Sequence, residues 1–115
     1  MKKIKLFISQ PMRGKTQEQI AKEREDFISK LDPNGVEVID SIVADEAPSN
    51  AKTALWCLSK AIEILSRADA ITLIGYDGRQ ELPRGCRIEL ECARDYGITL
   101  LSEDDVLKFF GKEEE

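Results

Sequence analysis

Short apolar runs alternate along this chain with longer stretches of helical periodicity, and that alternation limits the possible folds more than any other feature. Ile4-Lys5-Leu6-Phe7-Ile8, Val36-Glu37-Val38-Ile39-Asp40, Ala70-Ile71-Thr72-Leu73-Ile74 and Ile98 to Leu101 read as strands, bounded by turn residues. The third is apolar almost throughout, as a strand covered on both faces of a parallel sheet is. Helices fill the intervals. One is capped by Thr16, with Gln19 completing a capping box, and stops before Asp32-Pro33-Asn34-Gly35. Another runs from about Ala51 to Arg67, a third over Arg84 to Ala93, and a last is opened by Ser102 with Asp105 three residues on.

Strands that alternate with helices build a parallel sheet with helices on both faces. The simplest arrangement is an α/β, doubly wound sheet of about four strands in the flavodoxin-like order 2-1-3-4. A single domain over residues 1–110 is expected, with Gly111 to Glu115 as a solvated acidic tail. In this order the chain changes direction between the first and third strands, and ligands bind beyond their carboxyl ends. Two loops meet there, Ser9 to Lys15 and Gly75 to Gly85.

The helices carry separable faces. Ile20, Phe27, Ile28 and Leu31 form the inner face of the first, and Arg24 shares it, so that it either snorkels to the rim or reaches a buried acid. Leu55, Leu58, Ala61, Ile62 and Leu65 form the buried stripe of the second. Trp56 lies outside that stripe among Lys52, Lys60 and Glu63, either as an isolated surface residue or as part of a self-association surface. Ser41 to Asn50, with Pro48, is an irregular loop long enough to cover a pocket.

The third helix contains the residue that points to chemistry. At 100° per residue, Cys86, Ile88, Leu90, Cys92, Ala93 and Tyr96 share an apolar arc, opposite Arg87, Glu91, Arg94 and Asp95. Glu89 falls near the middle of the apolar arc. A carboxylate turned into a core costs several kcal/mol unless it is paired, hydrogen-bonded or set in a cleft. The alternative is a structural Glu that reaches water from a rotated or frayed helix. Gly85, just before it, allows close approach of a backbone or a ligand.

Composition excludes several kinds of chemistry. The chain has 115 residues and no histidine, which removes histidine triads and most zinc sites. Cys57, Cys86 and Cys92 form no C-x-x-C pair and read as reduced thiols of a cytoplasmic protein. The basic N-terminus carries too short an apolar run for a signal peptide, and no stretch is long enough to span a membrane. A net charge of −5 argues against a nucleic acid polymer as partner, though not against a small anion held by local basic residues.

Ser9-Gln10-Pro11-Met12-Arg13-Gly14-Lys15-Thr16 follows a strand, opens a helix and ends in Gly-Lys-Thr, like the phosphate loop of nucleotide triphosphatases. Ser9 replaces the opening glycine, however, and Pro11 removes a backbone N–H donor that such a loop needs. A milder expectation survives. The helix N-terminus at Thr16, with Arg13 and Lys15, can hold one phosphate or a sugar hydroxyl, or the stretch is simply a solvated turn.

The strand leading to Ser9-Gln10-Pro11-Met12-Arg13-Gly14, the Ala68-Asp69 before the third strand, and Gly85-Cys86-Arg87-Ile88-Glu89-Leu90-Glu91-Cys92-Ala93 together resemble the nucleoside 2-deoxyribosyltransferase-like superfamily. More narrowly, the chain is similar to a small branch of it found in bacteria and their phages. The likeness covers nearly the whole chain, and its most specific part is Gly-x-x-x-Glu-x-x-x-Ala, which selects Gly85, Glu89 and Ala93. It implies a flavodoxin-like fold, an expected homo-oligomer, and Glu89 as a nucleophile that attacks the anomeric carbon of a deoxyribosyl group. It requires no metal and no redox cofactor. Tyr76 and Asp77 are the nearest candidates to protonate the departing base, and Ser9 to Lys15 with Gly75, Arg84 and Gly85 are the expected substrate-binding residues.

Pro83 stands where transferases of the family carry Asp, Cys86 where they carry Thr, Glu91 where they carry Gly, and Ala61 near the place of another acid. The related deoxynucleoside monophosphate hydrolases also lack the first of these acids, and Met12-Arg13-Gly14-Lys15 is similar to their phosphate loop. The expected ligand is therefore a nucleoside or, better, its 5′-monophosphate. Three functions follow: cleavage or transfer of the N-glycosidic bond, nucleotide binding or sequestration without turnover, and an interaction module on the same fold.

Overall fold

The computed structural model describes residues 3–39, 46–79 and 81–112. Eight elements alternate in the order β1 (Ile4–Ser9), α1 (Gln17–Ser29), β2 (Val36–Ile39), α2 (Thr53–Leu65), β3 (Ala70–Leu73), α3 (Arg84–Asp95), β4 (Thr99–Leu101) and α4 (Glu103–Phe110). The four strands form one parallel sheet in the order β2-β1-β3-β4. This is the flavodoxin-like, doubly wound arrangement expected from the alternation. Asp40 and the first half of the expected covering loop, 41–45, lie outside the described residues, as do Gln80 and 113–115.

Strand side chains alternate between two cores. Leu6 and Ile8 of β1 and Ala70 of β3 face one side, where Phe27 and Leu31 of the α1 segment and Val106 of α4 cover them. Phe7 and Ile71 face the other, packed with Ala61 and Leu65 of α2 and Ala93 of α3. Phe7, Ile71, Ala93 and Val106 are fully buried, so both faces of the central strands are dry.

Local signals set the helix ends. Thr16 and Ser102 both form complete capping boxes, with Gln19 and Asp105 returning the bond. Arg24 is buried beside Phe27 rather than snorkelling to the rim. Tyr96, expected on the apolar arc of α3, is 85% exposed. The helix stops at Asp95, so Tyr96 leaves the helical phase as the C-cap, and Gly97 at φ +82° turns the chain into β4. Leu55, expected in the stripe of α2, is 63% exposed because only the second half of that helix packs on the sheet. Gly111 and Lys112, expected in the solvated tail, are tied back: Gly111 bridges Leu31, and the Lys112 N–H donates to the Lys30 carbonyl at 2.8 Å. No helix among the described residues is long and apolar enough to cross a membrane.

Candidate active site

Ser9 ends β1 with its side chain on the Phe7 face, the face covered by α3. Glu89 lies one turn into α3 and points back at it. The buried Ser9 hydroxyl donates to Glu89 Oε1 at 2.8 Å, across a sequence separation of 80 residues. Burial penalises the charged form and holds the Glu89 pKa above its ordinary value of 4.5, with the Ser9 bond partly opposing it. The Glu89 carboxylate is thus poorly hydrated and oriented through one oxygen.

It lies on the wall of a cavity of about 400 Å³ at the carboxyl ends of the central strands. From the first loop come Gln10, Met12 and Arg13; from α3 and its approach come Pro83, Gly85 and Cys86. A side chain at Gly85 would meet nothing within 4 Å, so its glycine leaves that volume to the cavity. The opposite wall is α2, through Ala54, Cys57, Leu58 and Ala61. Most of this lining is carbon and sulfur, and among the described residues that form it only Arg13 and Glu89 carry full charge. Cys86 is buried beside Glu89, and its thiol pKa is pushed up by burial and by the Glu89 charge, against a hydrogen bond with Ser9 and the Lys15 charge.

The structure therefore brings Ser9, Gln10, Met12, Arg13, Gly85 and Glu89 together. The other expected site residues sit elsewhere. Pro11 is buried and Gly14 is exposed at φ +79°, neither on the cavity wall. Arg84 is exposed at the start of α3. Tyr76 lines a second cavity of about 460 Å³, with Leu73, Leu90 and the start of α4. Asp77 is exposed and accepts the Arg79 N–H at 2.9 Å, closing a turn. Lys15 turns to α1, where its ammonium meets both oxygens of Glu23 at 3.0 Å and the Gly75 carbonyl at 3.1 Å.

Glu23 and the α2 wall are the parts that sequence reasoning missed. Among the described residues, no group of three or more acidic or thiol side chains is disposed to hold a metal ion. Compared with known proteins, the chain matches no family model and no curated sequence.

Proposed function

We propose that the protein cleaves or transfers the N-glycosidic bond of a deoxynucleoside or its 5′-monophosphate, with Glu89 as nucleophile. The observation that carries this reading is the half-buried Glu89 carboxylate, held through one oxygen by Ser9 and facing a largely apolar cavity. The apolar walls suit a flat base, and the exposed Arg13 suits a 5′-phosphate. In the first step Glu89 forms a bond to C1′, the bond from C1′ to the base nitrogen breaks, and its electron pair leaves with the base, which takes up a proton. In the second, water or an incoming base attacks C1′ and frees Glu89, so configuration is retained overall. Poor hydration of Glu89 favours attack once it is ionised, and the Ser9 bond keeps the carboxylate aimed.

A second reading, nucleotide binding or sequestration without turnover, is favoured by one observation. Among the described residues lining the cavity, Glu89 is the only acid, and Tyr76 and Asp77 stand outside it, so that lining offers no second acid to protonate the base. Incubation with deoxynucleosides and their 5′-monophosphates, with and without an acceptor base, separates the two. Released base that disappears in Glu89→Ala supports catalysis, and ligand-dependent thermal stabilisation without release supports sequestration. The unpaired thiols suit the reducing cytoplasm. The half-buried Trp56 beside exposed Leu55 suits a homo-oligomer formed through α2.

A further inference from the structure

Lys15 has the sequence position of a phosphate-binding lysine, but all of its hydrogen-bonding capacity is taken. An ammonium has three N–H donors. Three acceptors surround this one: Glu23 Oε1 and Oε2 at 3.0 Å each, and the Gly75 carbonyl at 3.1 Å. Glu23 is itself held in place. The Gln10 amide donates to its Oε1 at 2.9 Å and to the Ile20 carbonyl at 2.9 Å, so Glu23 is fixed from the loop after β1 as well as from α1. Its carboxylate also occupies the space beside Gly75, where any side chain would collide with it. The Lys15 and Glu23 side chains are 25% and 32% exposed, so water competes only in part for the pair. Lys15 nonetheless belongs to the loop that carries Arg13 to the cavity wall, and its charge acts on the Cys86 thiol of that wall.

We infer that Glu23 is a specificity-determining residue: by saturating Lys15 it withholds that cation from anionic ligands and leaves Arg13 as the cation on the described cavity wall. An incoming phosphate must displace a carboxylate already bound before it gains Lys15. Any preference of the cavity for the 5′-phosphate over the uncharged nucleoside is thereby weakened to what Arg13 alone supplies. The part of this inference that concerns nucleosides rests on the function proposed above; the part that concerns phosphate does not.

The test is calorimetric titration of the full chain with inorganic phosphate, with a deoxynucleoside, and with its 5′-monophosphate. Glu23→Gln keeps the size of the side chain but removes its charge and turns an amide NH2 towards Lys15. Its affinity for inorganic phosphate is expected to rise roughly ten- to a hundredfold, the size of one charge-assisted contact. Lys15→Met in the otherwise native chain is expected to change that affinity by less than about twofold, and Glu23→Gln/Lys15→Met to cancel the gain. No gain in folded Glu23→Gln, a gain that persists in the double variant, or a marked loss in Lys15→Met alone would each overturn the inference. If Glu23→Gln does not fold, Lys15→Met alone decides. If phosphate behaves as expected while no variant binds either nucleoside form, the nucleoside reading fails and the role of Glu23 stands. If both forms bind but Glu23→Gln leaves their affinity ratio unchanged, the role of Glu23 fails and the nucleoside reading stands.

Discussion

Removing the Ser9 hydroxyl tests whether Glu89 is a held, poorly hydrated carboxylate. Ser9 is 1% exposed and donates at 2.8 Å, a short contact to a group that is ionised above its folded pKa. A hydrogen bond to a charged group contributes about 1.5–3 kcal/mol and one to a neutral group about 0.5–1.5 kcal/mol. Ser9→Ala should therefore cost about 1.5–3 kcal/mol at pH 8. In the Glu89→Gln background, where the acceptor is a neutral amide, it should cost roughly 1 kcal/mol less.

The pH dependence has a definite sign. Burial raises the folded pKa of Glu89 above 4.5, so its contribution to stability is present below pH 4.5 and is lost as pH rises through the folded value. Glu89→Gln should accordingly be more stable than the native protein at pH 8, with a gap that closes towards pH 4. The extra cost of Ser9→Ala should shrink over the same range. Urea unfolding of the four proteins at pH 4 and pH 8 gives every term. Equal costs of Ser9→Ala in both backgrounds at pH 8, or a cost independent of pH, would refute the account of Glu89.

Three further outcomes are expected. Cys57, half-buried on the cavity wall, should react with a maleimide faster than buried Cys86, whose raised pKa keeps it a thiol, and peptide mapping of timed samples should show that order. Gly75→Ala should destabilise by more than Gly78→Ala. Both sites are left-handed, at φ +70° and +79°, which costs about 1–2 kcal/mol for a side chain, but only Gly75 faces the Glu23 carboxylate. Denaturant midpoints in native and Glu23→Ala backgrounds separate that collision from the backbone cost. Thr16→Ala should lose about 1 kcal/mol by removing an N-cap, read as a lower unfolding midpoint with an unchanged m-value.

Much of this architecture is legible in the sequence because its signals are local. Capping boxes at Thr16 and Ser102 each close within one helical turn, and the apolar run of β3 announces a strand covered on both faces. Glu89 stands out because one helix places a charge among apolar neighbours. The α2 wall was not legible for a related reason: Leu55 and Leu58 fall on the same helical stripe as Ala61 and Leu65, and periodicity cannot tell where the sheet beneath a helix ends. Glu23 was hidden by distance along the chain. It reads as one more acid of α1 until folding brings to it Lys15, 8 residues away, while Lys15 also reaches Gly75, 60 residues on. Tyr76 and Asp77 follow β3 after Ile74 and Gly75, but Tyr76 lines the second cavity and Asp77 closes a turn with Arg79, so neither lies on the wall that carries Glu89.

As the proposed nucleophile, Glu89 forms a covalent bond to the sugar, and intact-protein mass spectrometry detects that bond. After rapid acid quench of the protein with a deoxynucleoside or its 5′-monophosphate, the account predicts a mass increase of one deoxyribosyl or deoxyribosyl-phosphate group, located by peptide mapping to Glu89 and absent in Glu89→Gln. Release of base without any adduct, or an adduct that persists in Glu89→Gln, would contradict it.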